Sequence, residues 1–436
     1  MIPSPDFLRR RLLGAVEARV EQGADPGTLR EEIRRSDHVE ELAALGRRIR
    51  TLPLRHDWPY VEPETFEDIL AECDVDALPA AADAVAADDA AQRARTAFLG
   101  SVCGCTLGKP LEVMASHAEV RAALEAAGEW PLRDYVGEPV LEALGRRGDW
   151  KTTVRGRIGH VPLDDDINYR VVATVLLERH GDAFTQDDLR TVWLENLPVH
   201  ATFGPERTRI AFESLIALDG RRESWSLLPD EHEEWCGAMI RTDAYGWACP
   251  GRPLLAAELA WRDASWTHRA TGVYAAMFVA AALAVAPLAA EPLDMVEVGL
   301  AVVPRRSRLH ETITYALREV RRASDWLDGC ARIAQRYGEY GHCRIHQEIG
   351  TLVNTLRFAR DAGDGICIQV MQGNDTDSYG ATAGSLLGAF HGPGGLDPRW
   401  LEPFNDDFHV AMARVHEPSL SRMADRVAAL PARLRG

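Results

Sequence analysis

The chain has 436 residues, with 49 basic against 66 acidic side chains and a net charge of −17. A hydrophobic share of 46 % supplies a sizeable core and excludes disorder throughout. The acidity, with no Lys/Arg-rich block, excludes nucleic acid as a partner, because a duplex binder needs a basic stripe to displace counterions. Lysine is nearly absent: Lys109 and Lys151 are the only two.

Taken in chain order, the pattern is helical. Arg9, Arg10 and Arg11 precede the apolar run Leu12–Val16, but Glu17 ends it after five residues, short of the roughly 7–15 of an export signal. Residues 5–22, 28–50 and 64–73 place apolar positions at three- and four-residue spacing and are expected to be helices. The prolines of Trp58-Pro59-Tyr60-Val61-Glu62-Pro63 break that region, and an Ala/Asp-rich stretch follows from Ala77 to Ala91. Residues 1–90 therefore read as a helical N-terminal extension and 91–436 as one large helical domain. Val273 to Ala290 is 18 uncharged residues, near the lower bound of about 17–25 for a spanning helix. It is rich in alanine, carries Pro287 and has no basic flank, so a buried central helix is expected and no membrane. The only strand expected is around Ile366–Val370. Three arginines after Pro304 (Arg305, Arg306, Arg308) read as a solvated turn.

Eight cysteines without a CxxC pair do not make a disulfide scaffold, and the chain reads as a reduced, cytoplasmic protein. A zinc site could start from His342-Cys343 and His346, but it lacks a second thiolate pair at finger spacing. These residues are expected on a helix with no metal.

The chemistry is concentrated in two acidic clusters, Asp164-Asp165-Asp166 and Asp375-Thr376-Asp377-Ser378, each opening a helical run. One Asp suffices to cap a helix. Three adjacent carboxylates repel one another, and a hard dication such as Mg²⁺ or Mn²⁺ offsets that repulsion. Gly100, Gly104 and Gly108 recur every four residues, as do Gly380, Gly384 and Gly388, which on helices makes strips where another helix can approach closely. Pro110 ends the first strip and leaves Glu112 in a loop, where it would be a solvated residue or a general base facing the metals. An EF-hand starting at Asp375 fails, since its fifth position is Tyr379 and its closing Glu is Leu386. A class I terpene synthase is a closer alternative. Asn374-Asp375-x-x-Ser378 begins its second acidic motif, but the glutamate that should follow is Thr382.

The residues resemble more closely the ADP-ribosylglycohydrolase family, over about 95–395. Gly104-Cys105-Thr106-Leu107-Gly108-Lys109-Pro110-Leu111-Glu112 is similar to its G-D-x-x-G-x-x-x-E segment, and Asp164-Asp165-Asp166 falls where the family has T-D-D. Gly237-Ala238-Met239-Ile240-Arg241 resembles its G-x-x-M-R loop, Thr267-His268 its [ST]-H pair, and Gly373-Asn374-Asp375-Thr376-Asp377-Ser378 its G-x-D-T-D-[ST] motif. The resemblance implies an all-α, large orthogonal helical bundle with a dinuclear metal cleft. It implies two Mg²⁺ ions, or Mn²⁺, held by Asp164, Asp165, Asp166, Asp375, Asp377 and Ser378. Glu112 would be the catalytic carboxylate, acting with Asp165 and Asp166, and Gly237, Arg241, Asp243 and His268 would contact substrate.

Three departures mark a divergent member: Cys105 stands where many members have Asp, Asp164 replaces a threonine, and Asn374 stands where tryptophan often sits. The implied reaction is hydrolysis of an N-ribosyl bond of an ADP-ribosylated protein or small molecule by a monomer or small homo-oligomer. A salvage enzyme for a small NAD-derived N-riboside and a non-catalytic ADP-ribose-binding module are the alternatives within the resemblance. An adenine could stack on Tyr245, Trp247, Trp261 or Trp266, although each reads first as core.

Overall fold

The computed structural model describes residues 4–79, 84–112, 116–145, 152–219 and 228–434. The secondary structure of the described residues is helical. The only β pairings among the described residues are isolated bridges, such as Ala24 with Leu54 and Ser116 with Gly373.

The first three helices are α1 (Pro5–Glu21), α2 (Leu29–Arg35) and α3 (Val39–Arg50). The expected single helix over 28–50 is two. Ser36 turns to extended backbone and its hydroxyl bonds Glu41, so the ladder is interrupted before α3 starts. Leu8, Leu12, Ile33, Leu42 and Ile49 form a small core of their own, completed by Phe212 and Leu228 from the main body. The chain then runs as a strap along that body. Val61 N–H donates to Arg306 O, Trp261 Nε1 to Glu64 O and Tyr274 Oη to Pro63 O. Arg308, expected in a solvated turn, is instead half-buried between Glu62 and Glu234 and clamps the strap with a charge-assisted fork. Arg306 pairs with Glu72 nearby. Part of the Ala/Asp-rich stretch, residues 80–83, lies outside the described residues. The helix α4 (Ala87–Gly108) begins four residues before the expected boundary at 91.

The remaining chain has one continuous core. At its centre lies α5 (Ala270–Val285), buried on every side. The segment Ala270–Leu288 is long and apolar enough to cross a membrane by composition, yet 89 % of its apolar window is enclosed by protein. A helix apolar all round belongs in such a place. Ile366–Val370, expected as a strand, lies within the helix α6 (Ala362–Met371), because Asp361 caps it by accepting from Asp364 N–H and its β-branched side chains pack inward. Tertiary burial decides the conformation here over β propensity.

The helix α7 (Thr376–His391) packs along α4 through the two glycine strips. A Cβ on Gly104 would stand 2.0 Å from Gly380 O, and one on Gly108 would stand 2.1 Å from Thr376 O. The backbones are in direct contact, and Thr376 Oγ1 donates to Gly108 O at 2.7 Å. Replacing Gly104 by Ala therefore costs about 2 kcal/mol or more, read as a lowered unfolding midpoint. The control Gly159→Ala, with open space around its Cβ, leaves the midpoint unchanged.

Candidate active site

The contact of α4 with α7 places the C-terminal end of one beside the N-terminal end of the other. At the first end, Lys109–Leu111 tightens into a single 3₁₀ turn and Glu112 follows in extended backbone. At the second lie Asp375, Asp377 and Ser378. A third helix, Asp165–His180, brings its own N-terminus to the same point, capped by Asp164, whose Oδ1 accepts from Asp166 N–H at 2.8 Å. Together these three ends floor a cavity of about 660 Å³. Its walls include Tyr169, Phe203, Glu206, Trp235, Gly237 and His342.

The floor is tightly cross-linked. Ser378 Oγ donates to Asp166 Oδ2 at 3.2 Å, and Ser378 N–H to Asp377 Oδ1 at 3.0 Å. Arg170, one turn beyond Asp166, is buried and reaches Asp166 Oδ1 at 3.2 Å and Asp243 Oδ2 at 3.1 Å. Lys109 pairs with Asp164, whose two oxygens are thereby both engaged. Even so, negative charge dominates. Burial and neighbouring carboxylates push Asp166 and Asp377 well above the usual range, and half-buried Asp165 in the same direction. Glu112 is raised by burial and by Asp375, against a hydrogen bond shared with Asp377. Asp375 is the exception. Burial opposes its charge, but His342, Asp377 and two cysteine thiols keep it lowered. An oxygen-rich donor set whose members resist ionising together is the chemistry a hard dication completes. The residues present therefore fit the expected metals.

Glu112, Asp164, Asp165, Asp166, Asp375, Asp377, Ser378 and Gly237 all line the cavity. Arg241, Asp243 and His268 do not. Arg241 is fully buried and spends its donors on Glu206, on Asp263 Oδ1 at 2.6 Å and on Thr267 Oγ1 at 2.8 Å. Asp243 holds Arg170. His268 is fully buried, with Nδ1 2.7 Å from Thr267 Oγ1, and borders a separate cavity beneath the strap. Their reach into the cleft is indirect: Arg241 neutralises the wall residue Glu206, and Asp243 orients the arginine behind Asp166. Cys105 is buried beneath the floor, its sulfur within 4.8 Å of Asp164 and Asp166 oxygens.

Tyr245, Trp247 and Trp266 are core residues, and Trp261 packs under the strap. The aromatic rings at the cleft are instead Tyr169, Phe203 and Trp235, which no motif marked. Lys109, the cation of the floor, also went unassigned by the motifs.

The described body is all-α and gathers acidic side chains from three helix ends on the floor of one cleft. The sequence model of the ADP-ribosylglycohydrolase family matches residues 86–434, and the chain belongs to that family. A solved structure described as an "ADP-ribosylglycohydrolase-related protein complex" superposes with a TM-score of 0.51 at 22 % identity, covering 79 % of this chain and 99 % of the other. It shares the fold. No curated protein matches the chain significantly. Family membership sets the terpene-synthase reading aside.

Two outcomes test these electrostatics. Lys109→Met strands the buried Asp164 carboxylate and costs about 3 kcal/mol in chelator, and Asp164→Asn in the same chain recovers most of it, as a double-mutant cycle by denaturant unfolding shows. Carboxyls whose folded pKa is raised stabilise the fold fully only below the unfolded value of about 4, and lose that contribution as pH rises through the folded value. The metal-free protein therefore loses stability from about pH 4 upward, and Asp377→Asn reduces that slope. Magnesium flattens it in the wild-type chain.

Proposed function

We propose that the cleft binds an ADP-ribosyl group and hydrolyses the N-glycosidic bond at its terminal ribose. The observation that carries this reading is the convergence of Glu112 with acidic side chains from two separate helix N-termini on the floor of one cavity. The candidate ligands for two Mg²⁺ ions, or Mn²⁺, are Asp165, Asp166, Asp375, Asp377 and Ser378. Asp164 faces the same space while it caps its helix and holds Lys109. When bound, such ions supply Lewis acidity toward the ribose hydroxyls and a water.

The chain's own groups do the rest. Burial raises the proton affinity of Glu112, which suits a general base that takes a proton from water as it attacks C1″. Positive charge builds on the ribose ring as the nitrogen leaves. The acidic floor, prearranged by Arg170 and Lys109, stabilises that charge without reorganising. Trp235, Phe203 and Tyr169 offer aromatic surface for the adenine. The cavity volume lies within the roughly 300–1,000 Å³ of small-molecule sites. All eight cysteines are free, seven of them buried, which supports a reduced, cytoplasmic setting.

A small NAD-derived N-riboside uses the same floor and differs only in its leaving group. Incubated with Mg²⁺ and arginine-linked ADP-ribosyl protein, the enzyme is expected to release free ADP-ribose. Chelation stops the release, and Glu112→Gln lowers kcat by about 10²–10⁴. Unchanged turnover in that variant would remove Glu112 from the mechanism. Cleavage confined to free ribosides would move the substrate to the salvage class.

A further inference from the structure

At the edge of the acidic floor lie two thiols whose only part so far is to hydrogen-bond Asp375. Cys236 opens the short turn Cys236–Arg241, and Cys343 sits in the loop just before the helix Ile345–Phe358. Their sulfurs and one Asp375 oxygen all lie within 4.8 Å of one another. The Cys236 thiol donates to Asp375 Oδ2 at 3.1 Å and shares a hydrogen bond with Cys343. The two loops are stitched together by Cys236 N–H donating to Cys343 O at 3.2 Å. Cys343 has a φ of +62°, a left-handed conformation that a cysteine keeps only where its surroundings impose it.

His342 stands beside this group. It forms a second set with Glu112 and Asp375, again within 4.8 Å, and its Nδ1 is buried without a hydrogen-bond partner among the described residues. Glu348 lies behind Asp375, with Oε1 accepting from Asp375 N–H at 2.7 Å and Oε2 buried and unpartnered. His346, which belongs to the same sequence cluster, is turned away to Thr312.

Sulfur and imidazole donors are poorly matched to magnesium and well matched to zinc-class ions. A tetrahedral zinc, with bonds of roughly 2.0–2.3 Å, separates its ligand atoms by roughly 3.3–3.8 Å. Side chains already gathered within 4.8 Å need only shifts of about 1 Å to meet that spacing. We propose that Cys236, Cys343 and Asp375, with His342 as fourth donor, form a site for a thiophilic dication of the zinc class, next to the oxygen-only positions at Asp165, Asp166 and Asp377. On binding, each thiol releases its proton to solvent and the two sulfurs bond the ion as thiolates, so the proton that Cys236 shares with Asp375 gives way to the metal. Glu348 holds Asp375 from behind by its backbone and so fixes the oxygen that both kinds of position would share. The site does not depend on the hydrolase reading, because it is detected by its own ligands.

The test uses the full chain, stripped with chelator, kept reduced and titrated with Co²⁺ as the probe. A thiolate-to-cobalt charge-transfer band in the near ultraviolet is expected, displaced by Zn²⁺ but not by a large excess of Mg²⁺. Cys236→Ser and Cys343→Ser each diminish the band and their double variant loses it, whereas Asp165→Asn retains it. X-ray absorption at the zinc edge of the loaded wild-type chain provides a reading that needs no variant, with sulfur expected in the first shell. Cobalt bound without the charge-transfer band, a band that survives the double variant, or an oxygen-and-nitrogen-only zinc shell overturns the proposal. Loss of ADP-ribose release with the band intact would count against the hydrolase reading alone.

Discussion

Everything at the cleft depends on how closely two helices touch. Along the helices Ala87–Gly108 and Thr376–His391 the backbones meet with no side chain between them, and Gly384 and Gly388 repeat the contact that Gly104 makes with Gly380. Glycine costs each helix about 1 kcal/mol per position relative to alanine. The return is positional: the end that carries Lys109 and Glu112 is locked against the end that carries Asp375, Asp377 and Ser378. Any side chain in the strip would open that gap and draw Glu112 away from Asp377. The glycines are thus part of the site, although none of the six touches the cavity.

A floor this negative has to be held together from below. Arg170 links Asp166 to Asp243, Lys109 pairs with Asp164, and Arg241 binds Glu206 behind the wall. Each cation is buried or nearly so, and Arg170 and Arg241 are fixed by partners outside the cavity, Asp243 and Asp263. The protein therefore keeps its carboxylates in place without neutralising them all, and the residual repulsion is available for a dication to relieve. Cys105, small and uncharged beside Asp164 and Asp166, adds nothing to that repulsion.

What the sequence reveals follows from how far its signals reach. The acidic motifs are legible because their ligands are consecutive residues at helix starts, and the glycine strips because a helix has a fixed period. Arg241 and His268 belong to recognisable motifs and Asp243 lies two residues beyond one, but spacing does not tell which way a side chain faces, and packing buries all three away from the cavity. Ile366–Val370 shows the same limit, since an apolar β-branched run fits a buried helix as well as a strand. Lys109 sits within a motif that assigns it no part. The two cleft cysteines, at positions 236 and 343, are invisible as a pair because only the tertiary fold brings them together.

The small N-terminal core has a consequence for biosynthesis. Leu12, Ile33 and Leu42 leave the ribosome well before Phe212 and Leu228, which finish the cluster they form. The strap that follows is clamped still later, by Arg308. These helices therefore wait, with apolar surface uncovered, until Phe212 and Leu228 have been made. The segment docks late, and during synthesis it exposes apolar surface for a chaperone to cover.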